Sequence, residues 1–401
     1  MGSASVLARN RWFIALSFVL VVPGAARAAA LTTQECLNCH NAMPARLVDA
    51  KLFQSSVHSA LGCTACHSDV KAFPHIPAPK EVACRECHGG IEGDYSQSVH
   101  AAVWGKWKLK YSACLECHGN PHAILAKTNP RSPVYPLNLP RTCGSCHGSP
   151  AMARRYGIAN VYGLYIDSIH GFALTEDGLL VAATCASCHG AHRILGANDP
   201  QSRTYRNNVP ATCGSCHANI EALYFEGVHG KALKAGSAAA AVCIDCHTVH
   251  RIARVQTAAW QAKTVATCGN CHRQQLRSYR DTFHGQVTAL GFVETARCWS
   301  CHESHRVLPP SDPKSSIAPQ NLVSTCGKCH QGAAKGFVSF EAHPDPHDRA
   351  LNPTLYYAWL AMNLLLLSVF AFFGLHTVLW LVRTWSTRNH NSAASGSWRP
   401  Q

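Results

Sequence analysis

Runs of alternating apolar and polar residues, the pattern that predicts a β-strand, are nearly absent from this sequence. No cysteine stands alone, because all 22 occur in pairs separated by two residues. Apart from two hydrophobic runs near the ends, the 401 residues contain loop-forming Pro, Gly and Asn between short segments. The sequence therefore predicts short helices and loops with almost no sheet.

A histidine follows each cysteine pair directly, so the pentapeptide C-x-x-C-H occurs eleven times. The first cysteines are Cys36, Cys63, Cys84, Cys114, Cys143, Cys185, Cys213, Cys243, Cys268, Cys298 and Cys326. The second cysteines are Cys39, Cys66, Cys87, Cys117, Cys146, Cys188, Cys216, Cys246, Cys271, Cys301 and Cys329. The histidines are His40, His67, His88, His118, His147, His189, His217, His247, His272, His302 and His330.

Zinc knuckles, thioredoxin-like redox pairs and disulfide frameworks also use paired cysteines. None of them requires a histidine directly after the second cysteine. In the attachment motif of haem c, both cysteine sulfurs bond the porphyrin and the histidine ligates iron from one side. The motif therefore predicts eleven covalent haem c groups, each with its proximal histidine.

The motifs form a repeat. A lone site, Cys36 to His40, is followed by five two-haem units whose first sites begin at Cys63, Cys114, Cys185, Cys243 and Cys298. Successive units begin 51 to 71 residues apart, which is long enough for a supersecondary module. Such an array should be quasi-linear, with each unit touching mainly its neighbours.

Residues 31–354 supply only about 29 residues for each haem. So short a chain cannot build an ordinary hydrophobic core, and we expect the macrocycles to supply most of the buried apolar surface. The formal charge of +14 does not indicate nucleic-acid binding. Eleven haems carry roughly 22 ionisable propionates, which would make the assembled protein net acidic.

The two ends of the chain predict export and anchoring. Residues 1–30 have Arg9 and Arg11 before an apolar run and a small-x-small site at Ala26 to Ala28, as in a secretory signal peptide. The alternative is an uncleaved anchor, for which the run is short. Residues 355–383 form a predicted transmembrane helix, and the basic residues after it place the short tail, residues 384–401, in the cytoplasm. The haem region, residues 31–354, then lies in the periplasm of a bacterial inner-membrane protein.

Histidines outside the motifs are the candidates for the second axial position of each iron. Haems that only pass electrons usually have both positions filled, whereas haems that react with substrate keep one open. The distal candidates are His58, His75, His100, His122, His170, His192, His229, His250, His284, His305, His343 and His347. Every motif is followed by one of them, with His347 spare, so the count predicts bis-histidine, low-spin haem throughout.

Three distal candidates, His192, His250 and His305, follow their motif histidine by three residues. If the helix continues, such a residue projects from the same side of the haem as the proximal histidine. It should therefore ligate an adjacent haem rather than its own. We expect this to make each two-haem unit a packed pair.

The doubled motifs, the S-x-H-G element at Ser168 to Gly171 with its variants at Val228 to Gly230 and Phe283 to Gly285, and the C-terminal anchor resemble periplasmic multihaem c-type cytochromes of bacterial respiratory chains. The resemblance covers about residues 31–383. It implies electron exchange with a membrane quinol-oxidising subunit, a b-type cytochrome or soluble and outer-membrane cytochromes. Some relatives reduce nitrogen or sulfur oxyanions, often through a CxxCK haem or a haem without a distal histidine, and neither feature occurs here.

Two hypotheses follow. The first is a non-catalytic electron relay between a membrane partner and periplasmic or outer redox partners. The second is a terminal reductase with one open haem. His376, an ionisable residue inside the predicted span, either contacts a b-type haem shared with a membrane partner or hydrogen-bonds a neighbouring helix.

Overall fold

The computed structural model describes residues 31–44, 47–76, 78–107, 113–157 and 159–395. The predicted signal peptide lies outside these residues. In the part of the chain that the structure describes, short helices and loops form the fold and there is no strand, which confirms the predicted class. The chain divides into two units, one ending at Ala83 and one beginning at Cys84.

The helices are short except for the last. In the first unit they are α1 (Thr33–His40), α2 (Ala50–Ser55) and α3 (Cys63–Cys66). The second unit continues with α4 (Arg85–Ser96), α5 (Val99–Trp107), α6 (Cys114–His118), α7 (Leu139–His147), α8 (Pro150–Tyr156), α9 (Val161–Ile166) and α10 (Ile169–Thr175). It ends with α11 (Cys185–His189), α12 (Val209–Gly214), α13 (Ala218–Glu226), α14 (Val228–Lys234), α15 (Cys243–His247), α16 (Ala258–Gly269), α17 (Arg273–Asp281), α18 (Phe283–Ala289), α19 (Cys298–His302), α20 (Leu322–Gly327) and α21 (Pro353–Ser395). Short 3₁₀ helices lie at Pro121–Ala123, Arg206–Asn208, Pro319–Asn321 and Phe337–Ser339.

The polypeptide has little core of its own. A small cluster of buried side chains comprises Val209, Tyr224, Leu233, Ala240 and Val242. Cys213 and Cys243, from two different motifs, pack against this cluster. This agrees with the prediction that the chain wraps large apolar groups instead of folding around its own side chains.

A polar loop precedes the second motif in three of the repeats. In the first of them the Asn138 side-chain amide donates to the carbonyl groups of Pro130 (2.8 Å) and Ser132 (2.9 Å). Asn208 and Asn321 repeat these two bonds. In the repeat that begins at Cys243 the helix α16 stands in place of this loop.

Three tyrosines fix the backbone at the end of a repeat, just before the next repeat begins. The hydroxyl groups of Tyr165, Tyr224 and Tyr279 each donate to a backbone carbonyl 2.9 Å away, just before the first motif of the following repeat. Burial raises the pKa of Tyr224 to about 12. These tyrosines therefore remain neutral donors at any physiological pH.

The S-x-H-G element starts a helix and packs it tightly against the preceding one. The Ser168 hydroxyl accepts the Gly171 N–H (3.0 Å), as expected of an N-cap serine. A Cβ on Gly171, Gly230 or Gly285 would lie only 2.0 to 2.3 Å from a tyrosine carbonyl oxygen of the preceding helix. The glycine after the histidine is thus required by close approach of two backbones.

Replacing Gly230 by Ala is expected to destabilise the protein by about 1–3 kcal/mol, because the new methyl group forces α13 and α14 apart. The neighbouring His229 should move with α14 and partly lose its position. Thermal unfolding of the haem-loaded protein measures the effect. Gly93→Ala, where nothing lies within 4 Å of the added Cβ, is the control and should be neutral or slightly stabilising. Equal behaviour of the two variants would contradict the packing argument.

The last helix, α21, runs from Pro353 to Ser395 and its segment Pro353–Arg388 is long and apolar enough to cross a membrane. None of its most apolar window is buried in the protein. The helix continues past the predicted span 355–383, since no glycine or proline breaks it before Ser395. Trp359 and Trp380 are about 31 Å apart along it. That spacing matches a hydrocarbon core about 30 Å thick with aromatic residues at both interfaces.

Candidate haem-ligand sites

Each first motif of the repeats beginning at Cys114, Cys185, Cys243 and Cys298 forms a one-turn helix that ends at its own histidine. The next residue has a positive φ in every case: Gly119 (80°), Gly190 (81°), Thr248 (63°) and Glu303 (62°). A non-glycine residue rarely adopts this conformation. The helix is therefore stopped abruptly and the chain turns away at this point.

The expectation that the motif helix continues to the histidine three residues further on is wrong in these repeats. His192, His250 and His305 do not continue the helix of the proximal histidine. The residue with positive φ after each motif histidine turns the backbone away from that motif. The three histidines therefore leave their own motif without sharing a helix face with its proximal histidine. Each of them lies beside a motif histidine of the previous repeat, as expected of a residue that does not serve its own motif.

In the part of the chain that the structure describes, nine distal candidates each lie close to the ring of a motif histidine. The centroid distances are 5.7 to 6.2 Å. Within the described ranges the pairs are His40–His75, His147–His100, His118–His192, His217–His170, His189–His250, His272–His229, His247–His305, His330–His284 and His302–His343.

These distances fit one iron between two imidazoles. A metal–imidazole bond is about 2.0 Å long and the ring centroid lies roughly 1.1 Å behind the ligating nitrogen, so two trans rings have centroids about 6 Å apart. Direct stacking of two histidine rings would bring them closer. The donor set thus suits a haem iron with both axial positions filled by nitrogen.

Each motif histidine in these pairs, except His302, has a distal partner from outside its own repeat, and the partner's position follows a regular pattern. A first-motif histidine faces the histidine that follows the first motif of the next repeat, as His189 faces His250. A second-motif histidine faces the histidine that follows the second motif of the previous repeat, as His217 faces His170. The last first motif has no following repeat, and His343 takes that place opposite His302.

The backbone segments that carry the two distal histidines of one repeat are hydrogen-bonded to each other. The residue before His170 donates its N–H to the carbonyl of Ile252, two residues after His250, at 2.8 Å. Val228 with Val307 (2.8 Å) and Val99 with Ile194 (2.9 Å) repeat this bond. Each of these backbone hydrogen bonds, which we call a clip, joins the repeat before a given repeat to the repeat after it.

Neighbouring motifs also touch across repeat boundaries. The sulfur atoms of Cys143 and Cys185 lie close together, and Cys213–Cys243 and Cys268–Cys298 do the same. The second motif of one repeat and the first motif of the next are thus in close contact, and the packing of the two haems within each unit stays a prediction. Within a unit the contact is looser but present, for example between Cys188 and Cys213.

Burial favours, in several of these histidines, the neutral form that a metal ligand requires. Burial, reinforced by the facing ring, lowers the pKa of His100, His170 and His229 below the usual value. The same causes act on His189 and His302. The Ser278 hydroxyl is 3.1 Å from Nδ1 of His343, which leaves Nε2 to face His302.

Ring orientation divides the pairs into two classes. The rings are within 4° to 14° of parallel in His40–His75, His118–His192, His189–His250 and His247–His305. The other pairs are tilted by 38° to 69°. The parallel class consists of the lone site and three first motifs, and the tilted class consists of four second motifs and the last first motif, that of His302. The two classes would offer iron two different ligand fields.

The remaining candidates have other surroundings. His58 lies in the turn after α2, and His122 lies in the 3₁₀ helix Pro121–Ala123, so their roles opposite motif histidines stay predictions. His347 faces no motif histidine among the described pairs, and its ring lies 4.7 Å from Trp359. His376 lies inside α21.

Several residues of the site were not evident from the sequence. Arg206 forms a two-bond pair with Asp245 inside the motif that begins at Cys243 (3.0 and 2.7 Å). The tyrosines that bond the backbone just before the next repeat were also missed. Their constant position, 17 or 18 residues before the carbonyl they reach, is a repeat signal that alignment of the five units would have revealed.

Comparisons with known proteins support a multihaem c-type cytochrome. Residues 24–89 match the family model of cytochrome c7 and related cytochrome c. The chain is also 27% identical over 141 residues, 35% of its length, to the cytochrome c-type protein NrfB of Escherichia coli O6:H1. The chain spans 66% of that relative, just under two thirds. No solved structure matches.

The chain has the fold class of a multihaem c-type cytochrome. Covalent haem c and electron transfer are the properties of that class, and the redox partners of such proteins include other cytochromes. When bound, haem supplies a one-electron iron centre to each motif. The polypeptide supplies two cysteine anchors and neutral imidazoles held at a fixed separation.

Proposed function

We propose that this chain is a membrane-anchored electron relay with eleven haem c groups, each ligated by histidine on both faces. The observation that carries this proposal is the set of histidine pairs with centroids about 6 Å apart. An iron with two protein ligands has no position for a substrate. Such an array passes electrons and does no substrate chemistry of its own.

The succession of motifs supports a single path. From Cys114 to Cys329, at least one cysteine of each motif lies near a cysteine of the next motif in the sequence. Electrons can therefore step along the chain in sequence order. The relay connects a membrane quinol-oxidising or b-type cytochrome partner with soluble periplasmic or outer-membrane cytochromes.

The proposed placement is the bacterial inner membrane, with residues 1–30 removed as a signal peptide. Residues 31–354 lie in the periplasm, residues 355–383 span the membrane and residues 384–401 form a cytoplasmic tail. The aromatic residues at both ends of the apolar part of α21 support the span. His376 either ligates a b-type haem shared with the partner or hydrogen-bonds a partner helix; loss of a b-haem spectrum in His376→Ala, with the haem c spectrum intact, distinguishes these.

The test is purification of the full chain from native membranes with its associated subunits, followed by reduction and reoxidation. A relay is reoxidised by a co-purified or periplasmic cytochrome. It is not reoxidised at an enzymatic rate by nitrite, hydroxylamine or tetrathionate. Rapid reoxidation by one of these small molecules would replace the relay with a terminal reductase that has one open haem.

A further inference from the structure

Arg297 is a half-buried arginine whose charge has no carboxylate partner on the polypeptide. Among the residues that the structure describes, it takes part in none of the ion pairs. Its Nη1 donates to the Gln261 side-chain oxygen at 2.7 Å, and its Nε is buried without a hydrogen-bond partner. A guanidinium that has lost water and gained no counter-charge exerts a strong field, because little solvent remains to screen it.

Two tryptophans hold the guanidinium in place. Its central carbon lies 4.6 Å from the centre of the Trp299 ring, in a cation–π contact. Trp260 lies 5.9 Å from Trp299 and stacks on the His247 ring at 5.8 Å. Helix α16, which stands in place of the polar loop in this repeat, supplies both Trp260 and Gln261. The helix thus provides the contacts that fix this arginine.

The arginine lies between two haem-attachment motifs. It directly precedes Cys298 in the sequence, and the helix that carries its partner Gln261 also carries Cys268. The sulfur atoms of Cys268 and Cys298 lie close together. A positive charge at this junction acts on both haems. It favours their ferrous state, because reduction removes one positive charge from the iron.

At the motif that begins at Cys243 the positive charge is compensated. Val242 takes the sequence position of Arg297 there. The arginine found at this motif, Arg206, bonds both carboxylate oxygens of Asp245, at 3.0 and 2.7 Å. Two opposite charges in contact have little net effect on a more distant iron. The charge of Arg297 is therefore a feature that this neighbouring repeat lacks.

We propose that Arg297 raises the reduction potentials of the haems at Cys268 and Cys298 and makes this pair a point where electrons collect. This role rests on the relay function proposed above, because it describes how electrons distribute within that relay. Each transfer moves one electron from a ferrous haem to a neighbouring ferric haem, and no bond is made or broken. A unit charge about 10 Å from an iron, at an effective dielectric constant of about 20, changes the equilibrium constant for reduction roughly tenfold. For a one-electron couple this corresponds to about 59 mV.

The test reads the potential of a single haem in the full-length, haem-loaded protein. His343→Ala removes the ring that faces His302, so the haem at Cys298 should become high-spin and separable from the others by electron paramagnetic resonance. In a potentiometric titration of protein with this marker, adding Arg297→Gln should lower the midpoint of the high-spin signal by about 59 mV, the tenfold change given above. Arg297→Lys, which keeps the charge, should recover at least about half of this shift.

A second variant neutralises the arginine without removing it. Gln261→Glu places a carboxylate at the atom that accepts from Arg297, so it should lower the same midpoint by a similar amount. This variant decides the question if Arg297→Gln fails to retain its haems. The matched control combines Arg206→Gln with Asp245→Asn and removes one charge of each sign. The haem at that motif, marked by His305→Ala, should change its equilibrium constant by less than about threefold.

An unchanged midpoint in either variant that keeps its haems would overturn the role of Arg297. Equal losses in Arg297→Lys and Arg297→Gln would also overturn it, because the shift would then not come from the charge. The relay is judged by a separate measurement, the delivery of electrons from dithionite-reduced parent protein to a cytochrome. Failure of that delivery counts against the relay, whereas delivery combined with an unchanged midpoint counts against the role of Arg297 alone.

Discussion

Replacing His250 by Ala is expected to leave the haem at Cys185–His189 five-coordinate and high-spin, and to leave the haem at Cys243–His247 unchanged. His250 follows the second of these motifs by three residues in the sequence. Its ring nevertheless faces His189 at 6.0 Å, while His247 faces His305. The haem nearest to His250 in the sequence and the haem that His250 is expected to ligate are thus different. The substitution shows which of the two loses a ligand.

Double variants assign the high-spin signal. When His250→Ala is combined with Cys185→Ala and Cys188→Ala, the orphaned haem is not attached and the high-spin signal should disappear. Combined instead with Cys243→Ala and Cys246→Ala, the signal should persist. The control His347→Ala should produce no high-spin haem, because that ring packs on Trp359. A signal that followed the Cys243 motif would contradict the pairing across repeats.

Deleting residues 185–242 is expected to give a folded protein with two haems fewer and no high-spin haem. The deletion removes one full period, so Thr184 then precedes Cys243. His250 takes the place of His192 opposite His118, and His170 takes the place of His229 opposite His272. The backbone clips are kept as well, since Ile252 replaces Ile194 as partner of Val99.

The deletion should carry Asp245→Ser, because it also removes Arg206, and serine stands at this motif position in the other repeats at Ser187 and Ser300. Deleting only residues 185–212 is the contrasting variant. It leaves two second motifs in succession and removes Cys185, which lies next to Cys143. We expect this half-period protein not to accumulate. Haem-stained gels measure the yield of each deletion variant, and the spin state of the purified proteins shows whether any haem has lost a ligand. Equal yields of the full-period and half-period variants would contradict the alternation of first and second motifs.

Much of this arrangement could be predicted from the sequence, because C-x-x-C-H is specific for its cofactor and the distal histidines can be counted. Which histidine faces which motif could not be predicted. That pairing depends on the turn at residues such as Thr248, whose positive φ no propensity would suggest, and on backbone bonds such as Val228 to Val307 between distant segments. Local patterns carry no information about how one repeat meets the next.

The fold class was equally accessible, since an absence of strand patterns is a local property. The missing core was inferred from the length of chain available to each haem, and the small cluster around Val209 agrees with it. The glycine after several distal histidines was noted only as a recurring letter in the sequence. Its reason, the approach of Gly171 to the Tyr165 carbonyl, exists only once two helices are packed.

The central claim, that every iron of the array has two histidine ligands, is tested most directly by quantitative electron paramagnetic resonance of the fully oxidised, full-length protein, with the haem number fixed by the mass of the mature chain. We predict eleven haems and low-spin ferric signals alone. These should divide into a class with parallel ligand planes and a class with tilted planes, since the angle between the rings sets the splitting of the iron d orbitals. Fewer attached haems, or a high-spin ferric signal equal to one haem that changes on addition of nitrite, would contradict the account.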